Sequence, residues 1–232
     1  MNRSEETDNN DEKSCSEDGS CFQLSCETEM DLNQLVYDFK DQVLWLWDKN
    51  ITLRWKLNLT NVNESATSHY VNHEFRNDLE AAIDAWGDAS PVKFQENNQN
   101  DESHLEVVFH DNLCGSSRTC YHALAFFPSS PTDSWMLRLS NTFVRLSKKL
   151  RIRILSHELG HIFGLRHSDA AKTEPRSPSV VIGRDDSKSI MSLDADGKVT
   201  RKDRENLHAV YQQAWSGKPD PIPRVKVKLV SV

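Results

Sequence analysis

The chain has 232 residues, 37% of them hydrophobic and 27% charged, enough to bury one core of ordinary size and too few for two full domains. No apolar run reaches the ~20 residues needed to cross a bilayer, and the N-terminus has neither the basic region nor the hydrophobic run of a secretory leader. The net charge of −7 is uneven: residues 1–31 carry ten Asp and Glu against Arg3 and Lys13, leaving about +1 for the rest, a balance that argues against nucleic-acid binding.

In chain order, residues 1–30 read as an acidic tail, too polar to offset its ordering entropy and therefore expected to be disordered. Residues 31–216 read as the folded domain, and 217–232 as a basic, Pro-rich C-terminal tail. Within 31–50, Leu32, Leu35, Val36, Phe39, Val43, Leu46 and Trp47 make a 3.6-residue stripe that predicts a helix. ITLRWKLNL, 51–59, alternates apolar and polar residues as a half-buried strand does. A long helix is expected over 69–89, with Val71, Phe75, Leu79, Ala82, Ile83 and Trp86 on one face and Gly87 near its end. Strand candidates follow at PVKFQE, HLEVVFH, YHALAFF and WMLRLSN. Then come a helix containing residues 156–162, a Pro/Ser-rich loop, and a last helix over 201–215.

The five cysteines are Cys15, Cys21, Cys26, Cys114 and Cys120. Cys114 and Cys120 bracket a turn-rich loop, where either a local disulfide or two reduced thiols would fit. The basic run Arg145, Lys148, Lys149, Arg151 and Arg153 reads as the solvated start of a helix.

The chemistry concentrates in SHELGHIFGLRHS, Ser156 to Ser168. His157 and His161, four residues apart, share one helix face, where two neutral imidazoles can reach one zinc ion. Glu158 lies beside the first ligand, in reach of a zinc-bound water. Gly164 lets the chain leave the helix in a conformation other residues resist, bringing His167 toward the same ion. Three ligands plus water is the open arrangement of a catalytic zinc. The five fixed positions would coincide by chance on the order of once in ten thousand such chains, which decides against a merely solvated helix face.

HELGHIFGLRHS resembles the zinc signature of the metzincin metallopeptidases, and Ser168 after the third histidine resembles their matrixin branch, the matrix metalloproteinase type. SIMS, Ser189 to Ser192, is similar to the family's methionine turn, with Met191 as the floor beneath the metal. AAIDAWGDASPVKFQE, ALAFFP and VTRKDRENLHAVY resemble further matrixin segments, so that the likeness spans most of residues 50–215.

The resemblance implies an α+β, zincin-like fold: a mixed, mostly parallel sheet with an antiparallel edge strand, an active-site helix and a C-terminal helix. It implies a zinc-dependent metalloendopeptidase in which Glu158 activates a zinc-bound water. A protein or peptide substrate would pair along Ala123, Leu124 and Ala125. It also implies an extracellular protein, and we expect a monomer with one catalytic zinc.

Departures from the family pattern limit the carry-over. His110, Asp111 and His122 survive where matrixins hold a structural zinc, but Leu124 replaces an expected histidine, so no structural zinc is expected. SLDADGKVTRKD could be a degraded calcium loop with Asp194, Asp196 and Asp203, yet Thr200 as a helix N-cap is the simpler reading, and no calcium is expected. Residues 168–190, between His167 and Met191, form a longer connection than matrixins usually have and are expected to border the cleft. A zinc-binding interaction module with a blocked cleft and a small-substrate amide hydrolase remain as alternatives.

Overall fold

The computed structural model describes residues 22–24, 35–60, 65–97, 103–114, 120–174, 177–183, 188–192, 198–218, 221–222 and 225–232. In chain order these form β1 (Phe22–Leu24), β2 (Leu35–Lys40), β3 (Val43–Trp47), β4 (Thr52–Asn58), α1 (Ser65–His73), α2 (Phe75–Trp86), β5 (Lys93–Glu96) and β6 (Leu105–His110). They continue with β7 (Ala123–Leu124), β8 (Met136–Ser140), α3 (Lys148–Ile162), β9 (Leu165–Arg166), α4 (Ala170–Thr173), β10 (Ser179–Ile182), α5 (Arg201–Ala214) and β11 (Lys226–Val230). The fold is α+β. Among the described residues no helix is long and apolar enough to cross a membrane.

One sheet has the order β5-β4-β6-β8-β7. Its first four strands are mutually parallel, and β7 alone runs antiparallel, with Ala123 opposite Leu139 and Leu124 opposite Arg138. This is the expected mixed sheet with its antiparallel edge. Helix α2 lies against α3, presenting buried Phe75, Leu79, Ala82 and Trp86. Ser147 caps α3 by accepting from the Leu150 N–H, which satisfies one of the free donors of the first turn.

A second sheet, β1-β10-β2-β3-β11 with β9 also paired to β2, has no counterpart in the sequence reading. The helix expected over 31–50 is instead the β2–β3 hairpin. Asp41 and Gln42 both take positive φ, 55° and 58°, the backbone that a two-residue turn needs to match the twist of its flanking strands. Leu35, Tyr37, Phe39, Leu44 and Leu46 are all buried there, a period-2 set of which the helical stripe took in only Leu35, Phe39 and Leu46.

The C-terminal segment expected as a tail contributes β11, parallel to β3, where Lys228 lies opposite Trp45 with its ammonium 4.0 Å from the ring centroid. In the N-terminal segment, residues 22–24 form β1, parallel to β10; the remainder of the expected disordered tail, with Cys15, Cys21 and Cys26, lies outside the described residues. The Pro/Ser-rich loop contains β10, which pairs antiparallel with β2.

The expected 69–89 helix is broken at Glu74 into α1 and α2, and Gly87 ends α2 at φ 54°. Arg151 is not solvated. It is buried, its Nε donates to Asp78 Oδ2 at 2.7 Å, it pairs with Glu74, and its guanidinium lies 4.6 Å from the Tyr70 ring centroid. A charge this deep persists only when paired. Cys114 and Cys120 form a disulfide.

Candidate metal centre

Helix α3 carries His157, Glu158 and His161, and aromatic side chains hold it in place. Trp86 Nε1 donates to the Ser156 carbonyl at 2.9 Å, and Trp47 Nε1 to the Ile162 carbonyl at 2.7 Å. Tyr211 Oη donates to the Phe163 carbonyl at 3.0 Å. Carbonyls at a helix C-terminus lack partners within the helix, so these last two bonds satisfy groups that would otherwise be buried and bare.

Past the helix, Gly164 turns the chain at φ 93°, and a Cβ there would also meet the Trp45 carbonyl at 3.4 Å. The Asp38 N–H donates to the Gly164 carbonyl at 2.9 Å, and β9 pairs with Val36 and Tyr37 of β2. The unanticipated hairpin thus fixes the path from His161 to His167.

His157, His161 and His167 converge, with candidate ligand atoms all within 4.8 Å of one another and ring centroids 4.8, 5.2 and 5.0 Å apart. Each Nδ1 faces a group that can only accept: the Ile190 carbonyl at 2.9 Å, the Leu165 carbonyl at 2.7 Å and the Glu174 carboxylate at 3.0 Å, respectively. The proton therefore sits on Nδ1, and Nε2 keeps its lone pair. Burial pushes His157 down to about 4, and burial plus the neighbouring imidazoles push His161 well down too. Neutral rings with bare Nε2 atoms are what a zinc site requires, so the donor set fits zinc, and three nitrogens leave a coordination position for water.

Glu158 is 6% exposed. Burial pushes its carboxyl up to about 8, against the opposing hydrogen bond from the Ala125 backbone. Its Oε2 is buried without a partner among the described residues. Such an oxygen is costly unless a ligand uses it. The bond to Ala125 joins this carboxyl to the segment that follows β7, and Phe127, two residues on, sets its ring edge-on to His161 at 5.3 Å.

Met191 is fully buried, and the Ser168 N–H donates to its carbonyl at 3.0 Å. A Cβ added at Gly160 would collide with its sulfur. Met191 and α3 therefore touch where the helix has no side chain. Asp203 closes a capping box with Thr200 at the start of α5, and its Oδ2 also accepts from the Ile190 N–H at 3.1 Å. Thr200 is thus the N-cap, while Asp194 and Asp196 lie outside the described residues.

Of the residues weighed for a second zinc, Asp111 Oδ1 accepts from Asn141 and His122 Nδ1 bonds Thr142 Oγ1, each at 3.0 Å. Among the described residues the three histidines are the one group of three or more His, Cys, Asp or Glu whose candidate ligand atoms gather closely enough for one ion. Sequence reasoning missed Glu174 and Asp203, which accept from His167 Nδ1 and from the Ile190 N–H.

The family model for matrixin matches residues 46–195. No curated protein sequence matches the chain. Two solved structures of myroilysin share its fold, each at 12% identity and a TM-score of 0.51. The match covers 76% of this chain and 98% of that chain in one case, and 83% and 90% in the other. With well over half of the chain matched and the signature histidines gathered as that family requires, the chain belongs to the matrixin family and is, at the level of that family, a zinc metallopeptidase.

Proposed function

We propose that the chain is an endopeptidase that hydrolyses internal peptide bonds of extended protein segments, with Glu158 as its general base and His157, His161 and His167 as the ligands of a single catalytic zinc. The observation that carries this reading is the unpartnered, buried Oε2 of Glu158, the residue next to His157 on α3, with the backbone of Ala125 bonded to the same carboxyl and the three histidines converging. Zinc, when bound, supplies Lewis acidity for water and for the scissile carbonyl.

The protein's own groups do the rest. Glu158 Oε2 takes the proton of the attacking water and hands it to the departing amine, a role that the carboxyl's high proton affinity favours. The substrate lies along Ala123, Leu124 and Ala125 as an added strand, because β7 is the outer strand of its sheet and pairs only with β8 among the described residues. Met191 and Gly160 keep the ligand helix seated. We place the protein outside the cell as a monomer; the Cys114–Cys120 disulfide supports an oxidising compartment.

A library of terminally blocked peptides tests the proposal. Internal cuts by the zinc-loaded protein that vanish on chelation and return with zinc support it. Zinc uptake without any cleavage would mark an interaction module instead, and cleavage confined to small amides an amide hydrolase.

A further inference from the structure

Glu174 lies outside the histidine signature, in the long connection between His167 and Met191. The single turn of α4 folds the chain back, with the Glu174 N–H donating to the Ala170 carbonyl at 2.8 Å. The returning carboxylate accepts from His167 Nδ1 through Oε1 at 3.0 Å and from the Arg166 guanidinium through Oε2. Arg166 is only 4% exposed and is itself anchored on the same connection, by the Ser177 carbonyl, by the Pro178 carbonyl at 3.3 Å and by Ser179 Oγ at 2.9 Å.

The first two histidines orient on backbone carbonyls, Ile190 and Leu165, whereas the third orients on a charged side chain. A carboxylate is the stronger acceptor. It fixes ring and tautomer more firmly than a neutral carbonyl and makes the opposite nitrogen a better donor to a metal.

We propose that Glu174 is a positioning residue for His167, so that retention of the metal depends on the turn of α4 that returns Glu174 and on the Arg166 clamp that holds it. This rests on the zinc reading of the three-histidine site. The α4 turn then acts as part of the metal centre. Disturbing it releases the ion without touching any ligand.

The test loads wild type, Glu174→Ala, Glu174→Gln and Lys172→Ala with zinc and follows transfer to a chromogenic chelator. Visible spectra of the cobalt-substituted proteins and melting of the metal-free proteins are recorded alongside. Glu174→Ala should release zinc ~10–100-fold faster, the usual consequence of removing a carboxylate behind a ligating histidine. Glu174→Gln, which keeps an acceptor oxygen, should be partly rescued. Lys172→Ala, exposed on α4, should match wild type. The cobalt spectrum should change in Glu174→Ala; metal-free melting should fall as well, because buried Arg166 loses its carboxylate partner, so the spectrum and a release rate that rises beyond that loss carry the distinction.

Equal release rates in wild type and Glu174→Ala, or a rate change tracked entirely by loss of metal-free stability, would overturn the inference while leaving the functional reading intact. A wild type that takes up no zinc would overturn both. Should Glu174→Ala not fold, Glu174→Gln decides: faster release supports the inference, and an unchanged rate overturns it.

Discussion

Gly160 is where helix propensity and packing make opposite predictions, so Gly160→Ala tests the packing of α3 on the methionine turn. In an exposed helix this change stabilises by about 1 kcal/mol, because glycine carries the larger conformational entropy cost. Here the new methyl collides with Met191 Sδ, lies 3.2 Å from Met191 Cε and 3.4 Å from Trp86 Cζ2. Met191 and Trp86 are both fully buried, so neither can swing into solvent. Overpacking of this kind costs about 1–3 kcal/mol. Set against the propensity gain, a net loss of up to ~2 kcal/mol remains, or at most roughly 4–8 °C in melting temperature for a domain of this size.

Thermal melting of the metal-free protein by circular dichroism reads this directly. Because Met191 also holds Ser168 through its backbone carbonyl, zinc affinity should fall in the same variant. A Gly160→Ala protein that melts above wild type would refute the reasoning, since propensity alone would then govern the site.

Trp47→Phe removes the indole donor to Ile162 and should lower stability by about 1–3 kcal/mol, seen as a lower denaturant midpoint, because the buried carbonyl is left bare; an unchanged midpoint would contradict the proposed anchoring of α3. Asp38→Asn should stabilise the protein near neutral pH. Burial holds the Asp38 carboxyl above the usual carboxylate range, despite the Ser129 hydrogen bond and the Arg166 and Lys40 charges. With the folded value raised, the group's contribution is fully present below the unfolded pKa of about 3.9 and is lost as pH rises through the folded value. Asparagine still offers Ser129 an acceptor oxygen, so the melting difference in metal-free protein should be small at pH 4 and grow in asparagine's favour as pH rises through the folded value. A pH-independent difference would count against it.

The ligand helix was legible because its chemistry is local: two histidines one turn apart, a glutamate between them and a glycine at the exit all follow from spacing. The strands of the first sheet were legible from their apolar runs and alternation, while their parallel order and antiparallel edge came from the likeness to matrixins. The β2–β3 hairpin was not, because its apolar residues occupy both faces of strands buried on each side, and such a run satisfies a helical period as well. VKVKLV, residues 225–230, does alternate; its neighbouring prolines and basic residues masked the pattern. Arg151 looked solvated because its partner, Asp78, is 73 residues away in sequence. Glu174 carried no signal at all, since the one-turn helix that aims it at His167 is defined by packing on the hairpin and β10.

The central claim is that Glu158, and no other group, serves as the base at this centre. The most direct measurement compares zinc-loaded wild type with zinc-loaded Glu158→Ala on an unstructured protein, following kcat/KM and the positions cut by mass spectrometry. The account predicts internal cleavage by wild type and a loss of ~10²–10⁴-fold in the variant at equal zinc content. Cleavage of the same bonds by Glu158→Ala at the wild-type rate would contradict it.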